Sequence, residues 1–337
     1  MGRTSVPEVR SDRPAAGAPV STDFVAAMRA NQRSTFWLCV ILIVIGMVLG
    51  AVIGGFAGLY SNRHAAPLSE VPPGLIAGII VGALVMLGLS LTATFIALSF
   101  GGSVVTAIAG AHDVSAEAEP QLHNVIEEMS IAAGLPKPRV VIIDTPALNA
   151  FATGTKPERA VVGVTRGLLD TLNRDELQGV IAHEMSHIGN RDILYMTAVT
   201  VLVGLIVLIC DLLRRIGYRM VRFGNRKSAA PGIIALVIVL VVSIGAPIAA
   251  TLVRMAISRQ REYLADSTSV KLTRNPLGLV SALEKIGAST ARMESPNRAI
   301  QHIFIANPLK AFGEEASALM STHPPIQRRV ARLLDLR

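Results

Sequence analysis

The residues best suited to chemistry are two histidines and a glutamate in the stretch His183-Glu184-Met185-Ser186-His187. Residues i and i+4 of a helix share one face, so His183 and His187 can both present imidazole nitrogens to one metal ion. Glu184 would lie beside the open position of such a site. There a carboxylate can take a proton from the attacking water and pass it to a leaving amine. The pattern therefore predicts a zinc site that hydrolyses peptide bonds.

The residues before this stretch predict that it lies on a helix. Asn173 followed by Glu176 is typical of a capping box at a helix start. An apolar stripe with helical spacing follows, made of Leu177, Val180, Ile181 and Ile188. Such a stripe would bury one side of the helix and fix the direction in which the histidines point.

A catalytic zinc site takes three protein ligands and keeps a fourth position open, so a third ligand is expected downstream. The candidates are Glu262, Asp266, His302 and His323. Glu262 and Asp266 stand four residues apart, so on a helix one can bind the metal while the other accepts a hydrogen bond from a ligand imidazole. The spacing favours Glu262 as the ligand. The alternative is an exposed acidic pair balanced by neighbouring arginines.

Composition indicates a membrane protein. Of the 337 residues 51% are hydrophobic and only 17% are charged, whereas soluble domains are about a quarter charged. The net charge of +8 favours anionic lipid as the partner, and no basic stretch is interleaved with aromatic residues as a nucleic-acid surface requires. The two cysteines, Cys39 and Cys210, lie in hydrophobic stretches and are predicted to be free thiols.

Hydropathy divides the chain into five parts. Residues 1–33 are predicted to form a disordered tail, and a transmembrane helical hairpin follows over 34–111. A polar segment over 112–192 carries the histidine motif, and a second hydrophobic hairpin over 193–257 separates it from the last segment, 258–337. Neither polar segment is predicted to build a sizeable core alone, so together they are expected to form one domain.

Four charge-free runs are predicted as hydrophobic helices, at about residues 36–60, 75–100, 193–210 and 233–253. Three of them exceed the roughly 20 residues that span a bilayer, and the third run is marginal. The first two runs carry glycines at intervals of four, which let two helices approach closely. They are therefore predicted to form a tight hairpin that turns over residues 63–73.

Four motifs resemble those of one protein family. They are Asn149-Ala150-Phe151-Ala152, the His183–His187 motif with Asn190 and Asp192 behind it, Arg261-Glu262-Tyr263-x-Ala265-Asp266, and His323-Pro324-Pro325 with Arg329. With these motifs the chain, apart from its tail, resembles the HtpX-type membrane-bound zinc metalloproteases, relatives of the CAAX prenyl proteases.

The resemblance implies a role for each matched residue. His183, His187 and Glu262 would bind one zinc ion per chain, Glu184 would be the general base, and Asp266 would support a ligand histidine. His323 would approach the developing oxyanion, although a satisfied core histidine is the alternative. The strand Asn149, Ala150, Phe151 and Ala152 would line the cleft and pair with the substrate backbone. Arg329 would tie the last helix to the domain.

The predicted fold is a mainly α membrane protein with four hydrophobic helices and a split α+β zincin-like metalloprotease domain. Its small sheet is predicted to have three strands, at Arg139–Ile143, Asn149–Thr153 and Ala160–Val164, bounded by turns that contain proline and glycine. The resemblance further implies polypeptide substrates, among them misfolded or membrane proteins, and quality control in the bacterial inner membrane. The sequence gives no oligomeric state.

Topology follows from the zinc site. Glu262 must meet the histidines, so the chain between them crosses the membrane an even number of times. The tail arginines favour the cytoplasmic side for the catalytic domain. The basic connection Arg214–Lys227 would then face outward if the second hairpin spans fully, which its long fourth run favours, and inward if the hairpin only dips.

Two other functions remain open at this point. A CAAX-prenyl-protease-like processing enzyme is disfavoured because those enzymes resemble a larger chamber of helices. A zinc-binding membrane scaffold that does not cleave is disfavoured by Glu184, since a structural site needs no base and closes its fourth position.

Overall fold

The computed structural model describes residues 24–61, 73–204, 206, 215, 259–291, 303–305 and 324–336. The helices among these residues are α1 Phe24–Ser61, α2 Pro73–Ala109, α3 Pro120–Ala133, α4 Arg166–Thr171, α5 Arg174–Gly189, α6 Asp192–Gly204, α7 Arg259–Thr273, α8 Pro276–Ala288 and α9 Ile326–Leu334. The strands are β1 His112–Asp113, β2 Arg139–Ile143, β3 Ala150–Thr153 and β4 Val161–Thr165. One 3₁₀ turn, Pro157–Arg159, precedes β4.

The first two helices form the predicted hydrophobic hairpin. Asn31–Leu59 of α1 and Gly74–Ala109 of α2 are each long and apolar enough to cross a membrane. Large apolar side chains on both helices are more than half exposed, among them Phe36, Val48, Ile80, Leu84 and Phe95. An apolar protein surface of this size is unfavourable in water, so we expect it to contact lipid.

Glycine brings the two helices of the hairpin into backbone contact, as the spacing predicts. A Cβ atom added at Gly54 would lie 2.0 Å from the carbonyl oxygen of Gly78, and one added at Gly50 would lie 2.2 Å from that of Gly82. Any side chain at these positions would force the helices apart. The predicted turn of the hairpin, residues 63–73, lies outside the described residues except for Pro73.

The sheet has four strands in the order β1-β2-β4-β3, so the prediction of three strands is wrong. The additional strand, β1, has only two residues, paired antiparallel with β2. Two residues are too few to show the alternation that identifies a strand in sequence. Strands β2 and β4 are parallel, and β3 runs antiparallel to β4 at the opposite edge.

Helices cover the sheet and build the main core. Helix α5 packs against α3, α7 and α8, and also contacts β3. The core between them includes Leu122 and Ile126 of α3, Val180 and Ile181 of α5, and Leu283 of α8. Residues from both polar segments thus share one core. The histidine motif lies on α5, at the centre of that core.

The third hydrophobic run begins as a helix buried in the protein. Most side chains of α6 are buried, and Thr197 accepts a hydrogen bond from the backbone N–H of Gly154 at 3.0 Å. The structure therefore does not bear out four hydrophobic membrane helices. Two candidate spans occur among the described residues, and the fourth run and most of the basic connection Arg214–Lys227 lie outside them.

Candidate metal and catalytic site

Helix α5 presents the histidine motif and is held firmly at its start. Asn173 accepts a hydrogen bond from the backbone N–H of Glu176, whose carboxylate in turn accepts one from the backbone N–H of Asn173. Glu176 also accepts hydrogen bonds from Lys285 at 2.7 Å and from Ser281 at 2.6 Å. The predicted capping box is present, and it connects α5 to α8.

Three side chains from two segments meet in a buried cluster. The ligand atoms of His183, His187 and Glu262 all lie within 4.8 Å of one another. The Nε2 atoms of His183 and His187 lie 3.7 and 3.8 Å from the two carboxylate oxygens of Glu262. Ligand atoms around a tetrahedral zinc ion are separated by about 3.4 Å, since each bond is about 2.0–2.1 Å long. The donor set and its spacing therefore fit zinc.

A buried ion pair lies behind His183. Its Nδ1 is 3.0 Å from a carboxylate oxygen of Asp266. Arg329 on α9, fully buried, donates to both oxygens of that carboxylate, at 2.9 and 2.6 Å. Burial alone would raise the pKa of Asp266, but the Arg329 charge and the hydrogen bonds with His183 and Arg329 together outweigh it and keep that pKa below its usual value. Burial, together with Arg329, lowers the pKa of His183 to about 4.

A different carboxylate supports His187. Its Nδ1 lies 3.0 Å from Asp192 Oδ2. Asn31, on α1, donates from Nδ2 to Asp192 Oδ1 at 2.6 Å. Burial disfavours a charged His187, but the hydrogen bond to Asp192 and the charge of Glu262 outweigh it and raise the His187 pKa to about 9. Neither Asp192 nor Asn31 was predicted to have a role, and the position of Asp192 five residues after His187 is the sequence signal that could have indicated one.

Glu184 lies beside the cluster and is 2% exposed. The backbone N–H of Ala152 on β3 donates a hydrogen bond to its carboxylate. Burial is the largest cause that raises the pKa of Glu184 to about 7, and the charge of Glu262 adds to it. A carboxyl group with such a pKa can both accept and release a proton near neutral pH.

The strand predicted to bind substrate is the edge strand β3. The backbone of Asn149, just before it, is bonded to Thr165 through N–H and C=O. On the outer side of β3, the backbone N–H of Ile305 donates to the Ala150 carbonyl at 2.9 Å. Phe304 forms a bridge with Phe151, and their rings meet edge to face at 5.6 Å. The chain itself thus covers the Ala150–Phe151 part of this edge, while Ala152 faces Glu184.

Other predicted residues lie outside the described part of the chain. His302 and His323 are among them, so the predicted role of His323 stays a prediction. Cys210 also lies outside it, and Cys39 is a buried free thiol.

Comparisons with known proteins identify the family of the chain. Residues 116–337 match peptidase family M48. The chain is 40% identical over 310 residues to a protease HtpX homolog of Dictyoglomus turgidum, covering 92% of this chain and 94% of that protein. It is 52% identical over 217 residues to a protease HtpX homolog of Caldanaerobacter subterraneus subsp. tengcongensis, covering 64% of this chain and 71% of that protein.

Among solved structures, S. mikatae Ste24p matches over 92% of this chain and 67% of its own, with a TM-score of 0.45 and 16% identity. The family match and the long alignments to the HtpX homologs settle the classification: the chain belongs to peptidase family M48, as an HtpX-type member.

Proposed function

We propose that this membrane protease is a zinc-dependent endopeptidase of the bacterial inner membrane, with its catalytic domain on the cytoplasmic side. The observation that carries the proposal is the meeting of His183, His187 and Glu262 in one buried cluster with Glu184 beside it. A structural metal site has no use for a buried carboxylate of this kind next to its ligands. The arrangement therefore favours hydrolysis over a zinc-binding scaffold.

The chain's own residues divide the chemistry between them. His183, His187 and Glu262 would hold the zinc ion, which supplies a lowered pKa for water and polarises the scissile carbonyl. Glu184 would accept the proton of the attacking water and deliver it to the leaving amine, a task that suits its pKa of about 7. The Ala152 N–H would keep the Glu184 carboxylate turned toward the reacting atoms.

Backbone pairing on the outer side of β3 would align the substrate. In an antiparallel edge strand, alternate residues present N–H and C=O outward, and a peptide can add itself as a further strand. Here the Ala150 carbonyl accepts from Ile305 and the Ala152 N–H donates to Glu184, both away from β4, while the backbone of Asn149 bonds to Thr165 on β4. Ile305 already bonds to Ala150 and Phe304 already bridges to Phe151, so a substrate that uses the whole edge must displace both. Such pairing reads backbone more than side chains, as proteolysis of misfolded and membrane proteins requires.

The decisive experiment compares wild type with Glu184→Gln, both purified in detergent. Zinc content is measured by metal analysis, and cleavage is measured on casein or a membrane-protein substrate. The variant should retain zinc and lose at least about 100-fold in turnover, because general acid–base catalysis contributes 100-fold or more. The matched control is Glu158→Gln at an exposed position, which should behave as wild type. Near-normal cleavage by Glu184→Gln would overturn the mechanism.

A further inference from the structure

We infer that Asn31 of the membrane helix α1 is a positioning residue for the metal ligand His187, acting through Asp192. The inference rests on the proposed function, because it treats His187 as a zinc ligand. It makes the membrane hairpin a part of the metal site as well as an anchor.

Asn31 reaches the site from far away in sequence. Its Nδ2 donates to Asp192 Oδ1 at 2.6 Å and to the backbone carbonyl of Asn190 at 3.2 Å, across 161 and 159 residues. The side chain is buried, and a buried amide donor is costly unless it is bonded. Both of its donors are used on the loop that follows α5. This is a specific attachment, different in kind from apolar packing.

The two bonds of Asn31 lie on either side of a turn that needs support. Arg191, between Asn190 and Asp192, has a φ of 59°. Residues other than glycine seldom adopt this left-handed conformation, which costs free energy. By bonding to the residue before Arg191 and the residue after it, Asn31 holds the turn that carries Asp192 into place.

Asp192 transmits this constraint to the metal ligand. One carboxylate oxygen accepts from Asn31 and the other lies 3.0 Å from His187 Nδ1. With both oxygens engaged, the carboxylate cannot rotate, so the imidazole it bonds is fixed in direction. Groups that orient a ligand imidazole in this way raise metal affinity, because the ligand atom is already aimed at the metal.

Asn31 lies on the face of α1 that packs against the catalytic domain. Thr35 and Leu38, one and two turns further along, are also buried, and Leu38 belongs to an apolar cluster that includes Phe151 and Tyr195. Gln32, the next residue, is exposed. The helix is therefore seated with Asn31 inward, and Gln32 offers a control of matched chemistry one residue away.

The test measures zinc dissociation constants by chelator competition on the full-length protein in detergent. Asn31→Ala should weaken zinc binding about tenfold, the lower end of the range for residues that support ligands, and Gln32→Ala should leave it unchanged. Asn31→Gln keeps the amide on a longer arm and should fall between Asn31→Ala and wild type. The absorption spectrum of the cobalt-substituted protein should change in Asn31→Ala, since it reports ligand geometry directly. Thermal unfolding of the metal-free variants identifies any loss that reflects folding alone.

A double-mutant cycle with Asp192→Ala separates positioning from general structure. If Asn31 acts through Asp192, adding Asn31→Ala to Asp192→Ala should weaken zinc binding little further. Losses that add in full, or an unchanged dissociation constant in both Asn31 variants, would overturn the inference. The readout is metal binding, so a wild-type protein that binds zinc but cleaves nothing would overturn the proposed function and leave this result interpretable.

Discussion

His183 and His187 lie one turn apart on α5, yet different parts of the molecule hold their rings. Behind His183 is the carboxylate of Asp266, neutralised by the buried guanidinium of Arg329 from the last helix. Behind His187 is the carboxylate of Asp192, bonded to the uncharged amide of Asn31 from the membrane hairpin. The catalytic domain supplies one support from its own helices, and the other depends on the docking of α1.

This difference explains why two identical residues differ so much in basicity. Burial and the Arg329 charge both disfavour protonation of the His183 imidazole, and the pKa of His183 falls to about 4. Near His187 the carboxylates of Asp192 and Glu262 outweigh burial, and its pKa rises to about 9. Because Asn31 is uncharged, it does not offset the negative charge of Asp192, which favours protonation of His187. The comparison indicates that the partner of the supporting carboxylate is one of the factors that set the proton affinity of each histidine.

The largest effect is expected from Asp266→Ala, which leaves the buried Arg329 with Glu262, at 3.7 Å, as its remaining ion-pair partner among the described residues. Removing one partner of a buried ion pair costs about 3–5 kcal/mol of unfolding free energy. Thermal unfolding of the metal-free protein in detergent measures the loss. The double variant Asp266→Ala with Arg329→Met removes both charges and should recover most of it. The exposed Asp170 supplies the control Asp170→Ala, and a loss below about 1 kcal/mol would argue against the ion pair.

The pH dependence of zinc binding should sharpen the contrast between the two histidines. Zinc must displace the proton of His187, whose pKa in the metal-free site is about 9. The apparent zinc affinity should therefore rise with pH from 6.5 to 8.5, by about tenfold per pH unit for one displaced proton. His183, with a pKa of about 4, is already unprotonated throughout this range.

Chelator competition at several pH values measures this slope. Asp192→Asn removes the carboxylate charge that raises the His187 pKa, so its slope should be flatter. A wild-type affinity that does not change with pH would contradict the assignment of the proton to His187.

The smallest predicted effect concerns Ile305, which the hydrogen bonds of Arg329 connect to the carboxylate behind His183. Arg329 also donates to the Ile305 carbonyl at 3.2 Å, so this network extends to the segment that covers β3. Ile305→Pro removes the N–H that bonds Ala150 and should lower KM about three- to fivefold, since one hydrogen bond contributes about 1 kcal/mol. Ile305→Val retains the N–H and is the control. An unchanged KM with an intact fold would mean that substrates do not use the Ala150 carbonyl.

Short-range sequence patterns identify the helices whose ends carry proline, glycine or a capping box. Helix α3 runs from Pro120 to Ala133 and is followed by Gly134 in the left-handed conformation; proline at the first turn and glycine after the last are the residue types that mark helix ends in a sequence. The capping box of α5 was visible for the same reason, because its two partners stand three residues apart. The spacing of four between Glu262 and Asp266 places both on one face of α7, and their side chains reach different atoms of His183.

Other features depend on contacts that local sequence does not contain. The bond between Asn31 and Asp192 joins residues 161 apart, and a single asparagine in a helix carries no sign of its partner. The start of the third hydrophobic run is apolar whether it faces lipid or a protein core, so hydropathy could not show that α6 is buried. The Ile305 bond to β3 is one more long-range pairing with no local pattern behind it.

The attachment of Asn31 also sets the distance between the candidate metal site and the apolar run of α1. Asn31–Leu59 has 29 residues, about 44 Å of helix, against a hydrocarbon thickness of about 30 Å. Asn31 precedes Phe36, the first residue of the apolar run, by about 8 Å along the helix axis. An extended polypeptide covers that distance in about three residues. Under the proposed function, a polypeptide that leaves the membrane beside α1 would therefore reach the site within a few residues of the lipid boundary, whereas a cleavage point in a folded domain further from the membrane would have to move toward it.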